Sequence, residues 1–366
     1  MNKITQLFAL LFILLAGCSA DIEKPTLEDL GMVGVIGFDY VNEKETKITV
    51  ALPQPYEQAK EKSQVYSTVV QLTQQAPVVL SAVSERSISL AQLRVILISE
   101  EYARKTGIHR IMESLYRDPI VGTNVFIAIT KGSAESLMKA DYPNKPNITV
   151  FLNDLLHPRG ETAFSPFTTI HNYIYFRTDE ISEPMAPYIE KLDSSIRISK
   201  IALFKRDKLI GFVAPEEAKI IQGLRQRTKL PDFMVKIKEE EKDSAIVLNF
   251  VNSKVKLKSN GNLQNPELWI HLDLKGSVLE YTGKKDLETQ QGIDALEKAV
   301  SEKIRNDCYK LLDRFKKLKI DPLSLGDAFR RKHRGTWSKE KWIEAFAKAE
   351  IHVQISTEIV GTGTLK

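Results

Sequence analysis

Along this chain the spacing of hydrophobic positions alternates between the period of strands and that of helices. Residues 32–38 form an apolar run punctuated by Gly34 and Gly37, and residues 47–52 form another that Pro53 and Pro55 stop, so the two predict strands able to pair as a hairpin. Residues 64–74 predict a helix. Residues 93–98 are almost purely apolar and predict a buried strand leading into Ser99, an N-cap for a helix over 100–106 that ends at Gly107. A helix over 108–117 stopped by Asp118-Pro119, a strand over 121–129 and a helix over 133–140 follow. Strands alternating with helices point to mixed α/β architecture in this half.

Residues 141–160, with Pro143, Pro146 and Pro158, read as a junction at which the N-terminal part can subdivide. A hairpin over 196–204 and 209–213 turns near Arg206 and Asp207, and Pro215-Glu216-Glu217 signals a helix start. Beyond it the pattern changes to charged strands over 235–240, 245–251, 255–258 and 268–274. One long helix comes next, because Leu296, Val300, Ile304, Cys308, Leu311, Phe315 and Leu318 recur at spacings of three and four as a single stripe. A helix over 338–349 and a strand alternating Ile351, Val353, Ile355 with His352, Gln354, Ser356 close the chain. The expected fold class is α+β: a multidomain mixed α/β body with strand/helix alternation first, then antiparallel strands packed with a long helix.

The first seventeen residues belong to a different pattern. Lys3 precedes an apolar run, residues 7–16, and Leu15-Ala16-Gly17-Cys18 ends it. Such a run spans only ~15 Å as a helix, half of a ~30 Å hydrocarbon core, so it reads as a cleaved signal peptide rather than a permanent span. Small residues before a cysteine form a lipobox, in which the thiol receives diacylglycerol and Cys18 becomes the new N-terminus. Two acyl chains anchor stably where one binds reversibly. Residues 1–17 are thus the signal peptide and 18–26 a lipidated tether. With Cys18 lipidated, Cys308 is the remaining cysteine and no intramolecular disulfide can form. About 350 residues are left, enough for two or three domains with their own cores. No later stretch approaches ~18 consecutive apolar residues, which places the body on the membrane rather than in it.

The formal charge of +5 falls to +4 once Lys3 leaves with the signal peptide. Its distribution says more: Lys298, Lys303, Arg305, Lys310, Arg314, Lys316, Lys317 and Lys319 are followed by Arg330, Arg331, Lys332 and Arg334. This run is either a solvated helix face or a surface for anionic headgroups or an acidic partner. A nucleic-acid partner is not expected for an extracytoplasmic chain.

Candidate chemistry is sparse. Ser136-Leu137-Met138-Lys139, Tyr142-Pro143-Asn144 and Lys105-Thr106-Gly107 mimic the elements of penicillin-interacting serine enzymes, but Lys-Thr-Gly precedes the serine here, the reverse of that order. The histidines at 109, 157, 171, 271, 333 and 352 show no metal-ligand spacing, and no phosphate loop exists. The expectation is no catalytic residue, no cofactor and no metal, with Cys18 as the site residue and small-molecule binding left open.

Five blocks, in order, resemble the Ger(x)C family of spore germination receptor C subunits. They are the lipobox with Leu27-Glu28-Asp29-Leu30 and Gly34-Val35-Ile36-Gly37-Phe38-Asp39; Leu93 through Glu101; Leu115-Tyr116-Arg117-Asp118-Pro119 with Ala128 through Gly132; Ala202 through Gly211; and Ile320-Asp321-Pro322-Leu323-Ser324-Leu325-Gly326-Asp327-Ala328-Phe329, followed by Trp342. Ser84 through Ser87, Ala91-Gln92 and Thr130 depart from the family's usual residues. The resemblance implies a non-enzymatic, lipid-anchored subunit of a nutrient germinant receptor, held at the outer face of the spore inner membrane beside an integral A and a transporter-like B subunit. It also implies germination-protein domains over 27–197 and 198–366. The alternative is a solute-binding lipoprotein serving an importer, which would need two similar lobes around a cleft.

Overall fold

The computed structural model describes residues 26, 29–54, 62–157, 168–238, 243–333 and 335–361. The lipobox and Cys18 lie outside them. The strands are β1 (Leu30–Met32), β2 (Val35–Tyr40), β3 (Thr46–Pro53), β4 (Ser63–Val70), β5 (Ser87–Ser89), β6 (Val95–Ser99), β7 (Phe126–Thr130), β8 (Met185–Lys191), β9 (Ile196–Lys205), β10 (Lys208–Val213), β11 (Lys229–Leu230), β12 (Phe233–Ile237), β13 (Ser244–Ser259), β14 (Glu267–Tyr281) and β15 (Glu350–Gly361). The helices are α1 (Ala76–Ser81), α2 (Glu100–Lys105), α3 (His109–Arg117), α4 (Ala134–Met138), α5 (Ile148–Leu156), α6 (Ile170–Thr178), α7 (Pro215–Leu224), α8 (Gln290–Leu318), α9 (Asp327–Arg330) and α10 (Lys339–Lys348).

Among the described residues the first half forms an eight-stranded sheet in the order β10-β9-β8-β7-β6-β2-β3-β4. Its centre is parallel, β2 with β6, β6 with β7 and β7 with β8, and its flanks are antiparallel. Parallel strands are covered on both faces, which is why Val95 through Ile98 read as an unbroken apolar run. Ile96 and Ile98 face a layer with α1, α3 and α6, whereas Val95 and Leu97 face α4 and α5.

The second half is a five-stranded sheet, β11-β13-β14-β15 with β12 on β13, and α8 lies across it. The stripe from Leu296 to Phe315 is buried against alternate residues Leu268, Ile270, Leu272 and Leu274 of β14. Cys308 sits fully buried within it, and burial pushes its thiol up to about 12, so it is an inert core residue. Met185, Ile201, Leu203 and Val213 of the first sheet belong to the same apolar cluster as α7 and α8, so one core joins the halves.

Four local expectations are corrected. Residues 64–74 are not an α-helix: Ser-Gln-Val-Tyr-Ser-Thr-Val-Val is rich in β-branched residues and pairs antiparallel with β3 as β4, and a single 3-10 turn over Thr73–Gln75 leads into α1. The stretch 141–160 is not merely a junction, because Asn147 accepts from the Val150 backbone and caps α5, whose Leu152 and Leu156 are buried. The strand expected from residue 121 starts at Phe126. The separate strands expected at 245–251 and 255–258 are one element, β13, whose pairing slips near Phe250, a residue with φ 51°. The division expected between 197 and 198 falls inside β9.

Candidate functional site: the junction of the two sheets

Several of the sequence landmarks converge where the β9–β10 hairpin meets the last helices. The hairpin turns through Arg206 at φ 58°, and the carbonyl of the next residue, Asp207, accepts from the Ile108 backbone at 3.0 Å. Gly107, at φ +84°, lies so close that a Cβ there would strike the Asp207 carboxylate. Lys105-Thr106-Gly107 is therefore a helix end docked on a hairpin, not a catalytic strand.

The Arg206 backbone N–H donates to Glu183 Oε2 at 3.0 Å. Glu183 is buried, and its other oxygen pairs with Lys339 Nζ at 3.0 Å, while Arg206 approaches Glu340 at 3.6 Å. A first-half loop, the central hairpin and α10 are thus bound through one desolvated carboxylate. Nothing in the sequence around Ser182-Glu183-Pro184 signals this role, since it depends on partners 23 and more than 150 residues away.

Asp321 is the second buried acid. Its carboxylate accepts from Leu323 N at 3.2 Å, Gly326 N at 2.9 Å and Trp342 Nε1 at 2.9 Å, which folds the Asp-Pro-Leu-Ser-Leu-Gly segment around it. Burial raises its pKa, and these hydrogen bonds oppose the rise. Trp342 is fully buried between Phe329 and Phe346, with ring centroids 4.9 and 5.4 Å away. The Asp, Gly and Trp landmarks are one internal knot.

The landmark at the first strand behaves alike. Asp39 accepts from Ser133 Oγ at 2.9 Å, Ala134 N at 2.7 Å and Glu135 N at 2.9 Å, so it caps α4 from across the sheet. Ser136 lies in that first turn, and Lys139, the partner in the S-x-x-K spacing, binds Glu135 at 2.7 Å instead. Glu135 also accepts from Lys47 at 2.9 Å and Ser67 at 2.8 Å, and these hydrogen bonds, Lys139's the largest, bring its pKa down from 4.5 to about 2. The stabilisation from that depression is complete above the unfolded value of 4.5 and is lost as pH falls toward about 2. Glu135→Gln is accordingly expected to lower the urea midpoint at about pH 6, with the gap to the wild type narrowing below about pH 4.5 and closing only toward about pH 2, a trend that urea titrations across this range check.

Among the described residues no group of three His, Cys, Asp or Glu side chains gathers as a metal site, and no helix is long and apolar enough to cross a membrane. Much of the basic run is engaged internally: Lys303 with Asp307, Arg314 with Glu217 at 3.1 Å, Arg330 with Asp327 at 2.9 Å, and Lys332 with the Asn260 carbonyl at 3.1 Å. Lys298, Arg305 and Lys317 are exposed on α8.

An eight-stranded sheet fused through one core to a strand-and-helix layer defines a class of fold already seen in the crystal structure of the GerBC protein, which superposes with a TM-score of 0.57 over 93% of this chain and 100% of that one, at 18% identity. The family models supply the assignment: residues 23–191 match the spore germination protein N-terminal domain and residues 199–363 the spore germination B3/GerAC-like C-terminal domain. The chain belongs to the Ger(x)C family of spore germination proteins. It is 28% identical to spore germination protein GerQC of Bacillus cereus over 98% of both chains. It is also 21% identical to spore germination protein KC of Bacillus subtilis (strain 168) over 98% of this chain and 95% of that protein.

Proposed function

We propose that this chain is the C subunit of a nutrient germinant receptor, lipid-anchored through Cys18 at the outer face of the spore inner membrane and acting without catalysis beside integral A and B subunits. The observation that carries the reading is the pair of germination-protein matches, in order, across residues 23–363. The buried acids support it, since Asp39, Glu183 and Asp321 are consumed in holding elements together. The importer reading would want two similar lobes, and the eight-stranded and five-stranded sheets are not duplicates. Domains over 27–197 and 198–366 remain the proposed division, with β9 shared at the seam.

Placement at the membrane has support in how the chain enters the body. β1 pairs with β5 directly after α1, beside β3 and at the opposite end of the large sheet from the second half. Around that entry Leu72, Val78 and Val83 are 64%, 75% and 65% exposed. Cys18 precedes β1 by twelve positions, a contour of at most ~40 Å, so an anchored chain keeps this apolar edge near the lipid and the basic helix away from it. Spores lacking this chain are expected to lose at least tenfold in germination rate with the nutrients of their receptor, measured by loss of optical density. An unchanged response to every nutrient would contradict the proposal.

A further inference from the structure

The two halves meet around a cleft of about 710 Å³, within the ~300–1,000 Å³ range of small-molecule sites. Arg94 enters it from the first sheet, Arg225 and Arg227 from the turn after α7, and no Asp or Glu stands among its described lining residues. Arg94 is fixed by its backbone, which donates to the Gly34 carbonyl at 2.9 Å and accepts from Phe126 N at 2.8 Å. Arg225 lies over the Phe176 ring at 4.4 Å, and although burial brings its pKa down to about 10, it stays charged at neutral pH.

The acids nearest Arg225, Asp321 and Asp179, lie outside the lining and already hold other donors: Leu323, Gly326 and Trp342 for the first, Arg330 for the second. Three arginines thus line the cleft, with no carboxylate among its described lining residues. Asn124, Asn153 and Asn172 complete the wall with side chains that both donate and accept. Guanidinium forks match carboxylate and phosphate oxygens two at a time, and amides suit the uncharged polar remainder of a ligand.

We propose that this cleft binds a small polar organic anion, its carboxylate or phosphate held by Arg94, Arg225 and Arg227 and its hydroxyl groups by the three asparagines. Such a ligand bridges the two sheets and relieves repulsion among the arginines, so it stabilises their relative arrangement. This goes beyond the receptor reading and does not depend on it.

The test is calorimetry on the mature lipidated chain in detergent, with citrate and glucose 6-phosphate as probes and glucose as the neutral control. One anion is expected to bind saturably and glucose not at all; which anion responds separates carboxylate from phosphate recognition. Arg94→Gln combined with Arg227→Gln, both exposed positions, is expected to weaken binding at least tenfold, and added salt to weaken it in the wild type. Circular dichroism confirms that the pair folds, and Arg227→Lys, which keeps charge but loses the fork, gives an intermediate affinity if the double variant does not. No saturable binding of either anion up to about 10 mM, far weaker than specific recognition requires, would overturn the proposal. Equal affinity in wild type and both variants would overturn it as well.

Discussion

Cys18→Ala is expected to move the protein from the membrane fraction to the soluble fraction, with at least a tenfold fall in the bound share and a matching loss of the nutrient response. In the proposed anchoring, the whole attachment rests on one sulfur. Each buried methylene contributes about 0.8 kcal/mol, so a diacylglyceryl group holds firmly, whereas a single acyl chain already binds only reversibly. Without the lipid, the edge bearing the exposed Leu72, Val78 and Val83 offers a few single apolar side chains in place of two acyl chains. Fractionation of spore membranes with mass spectrometry of the N-terminus checks this. An alanine variant that stays fully bound, from a parent carrying no lipid, would transfer the anchoring role to contacts with partner proteins.

Asp321→Ala is expected to be the most damaging single change inside the body. It strands the N–H groups of Leu323, Gly326 and Trp342, all in a site without exposure. Unpaired buried donors cost about 1–3 kcal/mol each, and with partial relaxation the loss should reach about 3–5 kcal/mol. That is a large part of the ~5–15 kcal/mol that holds ordinary domains together. Asp321→Asn keeps the volume and one acceptor oxygen and is expected to cost less. Urea unfolding followed by tryptophan fluorescence measures both; equal, small losses would mean that the segment repacks around an empty site.

Elements whose burial is encoded locally were legible in the sequence. The stripe through Cys308 announces α8 because its spacing is helical, and Ser99 announces α2 because its hydroxyl accepts from Tyr102 N. The strand β4 escapes the sequence pattern because Val65 and Tyr66 are only half-buried while the adjacent Val69 and Val70 are exposed and buried, so it carries no sharp apolar alternation and depends on pairing with β3. The landmark residues Asp39, Arg206, Asp321 and Trp342 could be picked out, but not what they do. Their partners lie up to 134 positions away, as Glu340 does from Arg206, and only the fold brings them together. Glu183, Glu135 and the three arginines of the cleft left no sequence signal at all, since each site is assembled from separate elements.

The receptor assignment itself is tested most directly by purifying the lipidated chain under native conditions from detergent-solubilised spore inner membranes and identifying what accompanies it. Two integral membrane proteins of the germinant receptor, A and B, in constant ratio to this chain through size exclusion, are the predicted result. Recovery of a permease and an ATPase instead, or of this chain alone under conditions that keep other membrane complexes intact, would contradict it.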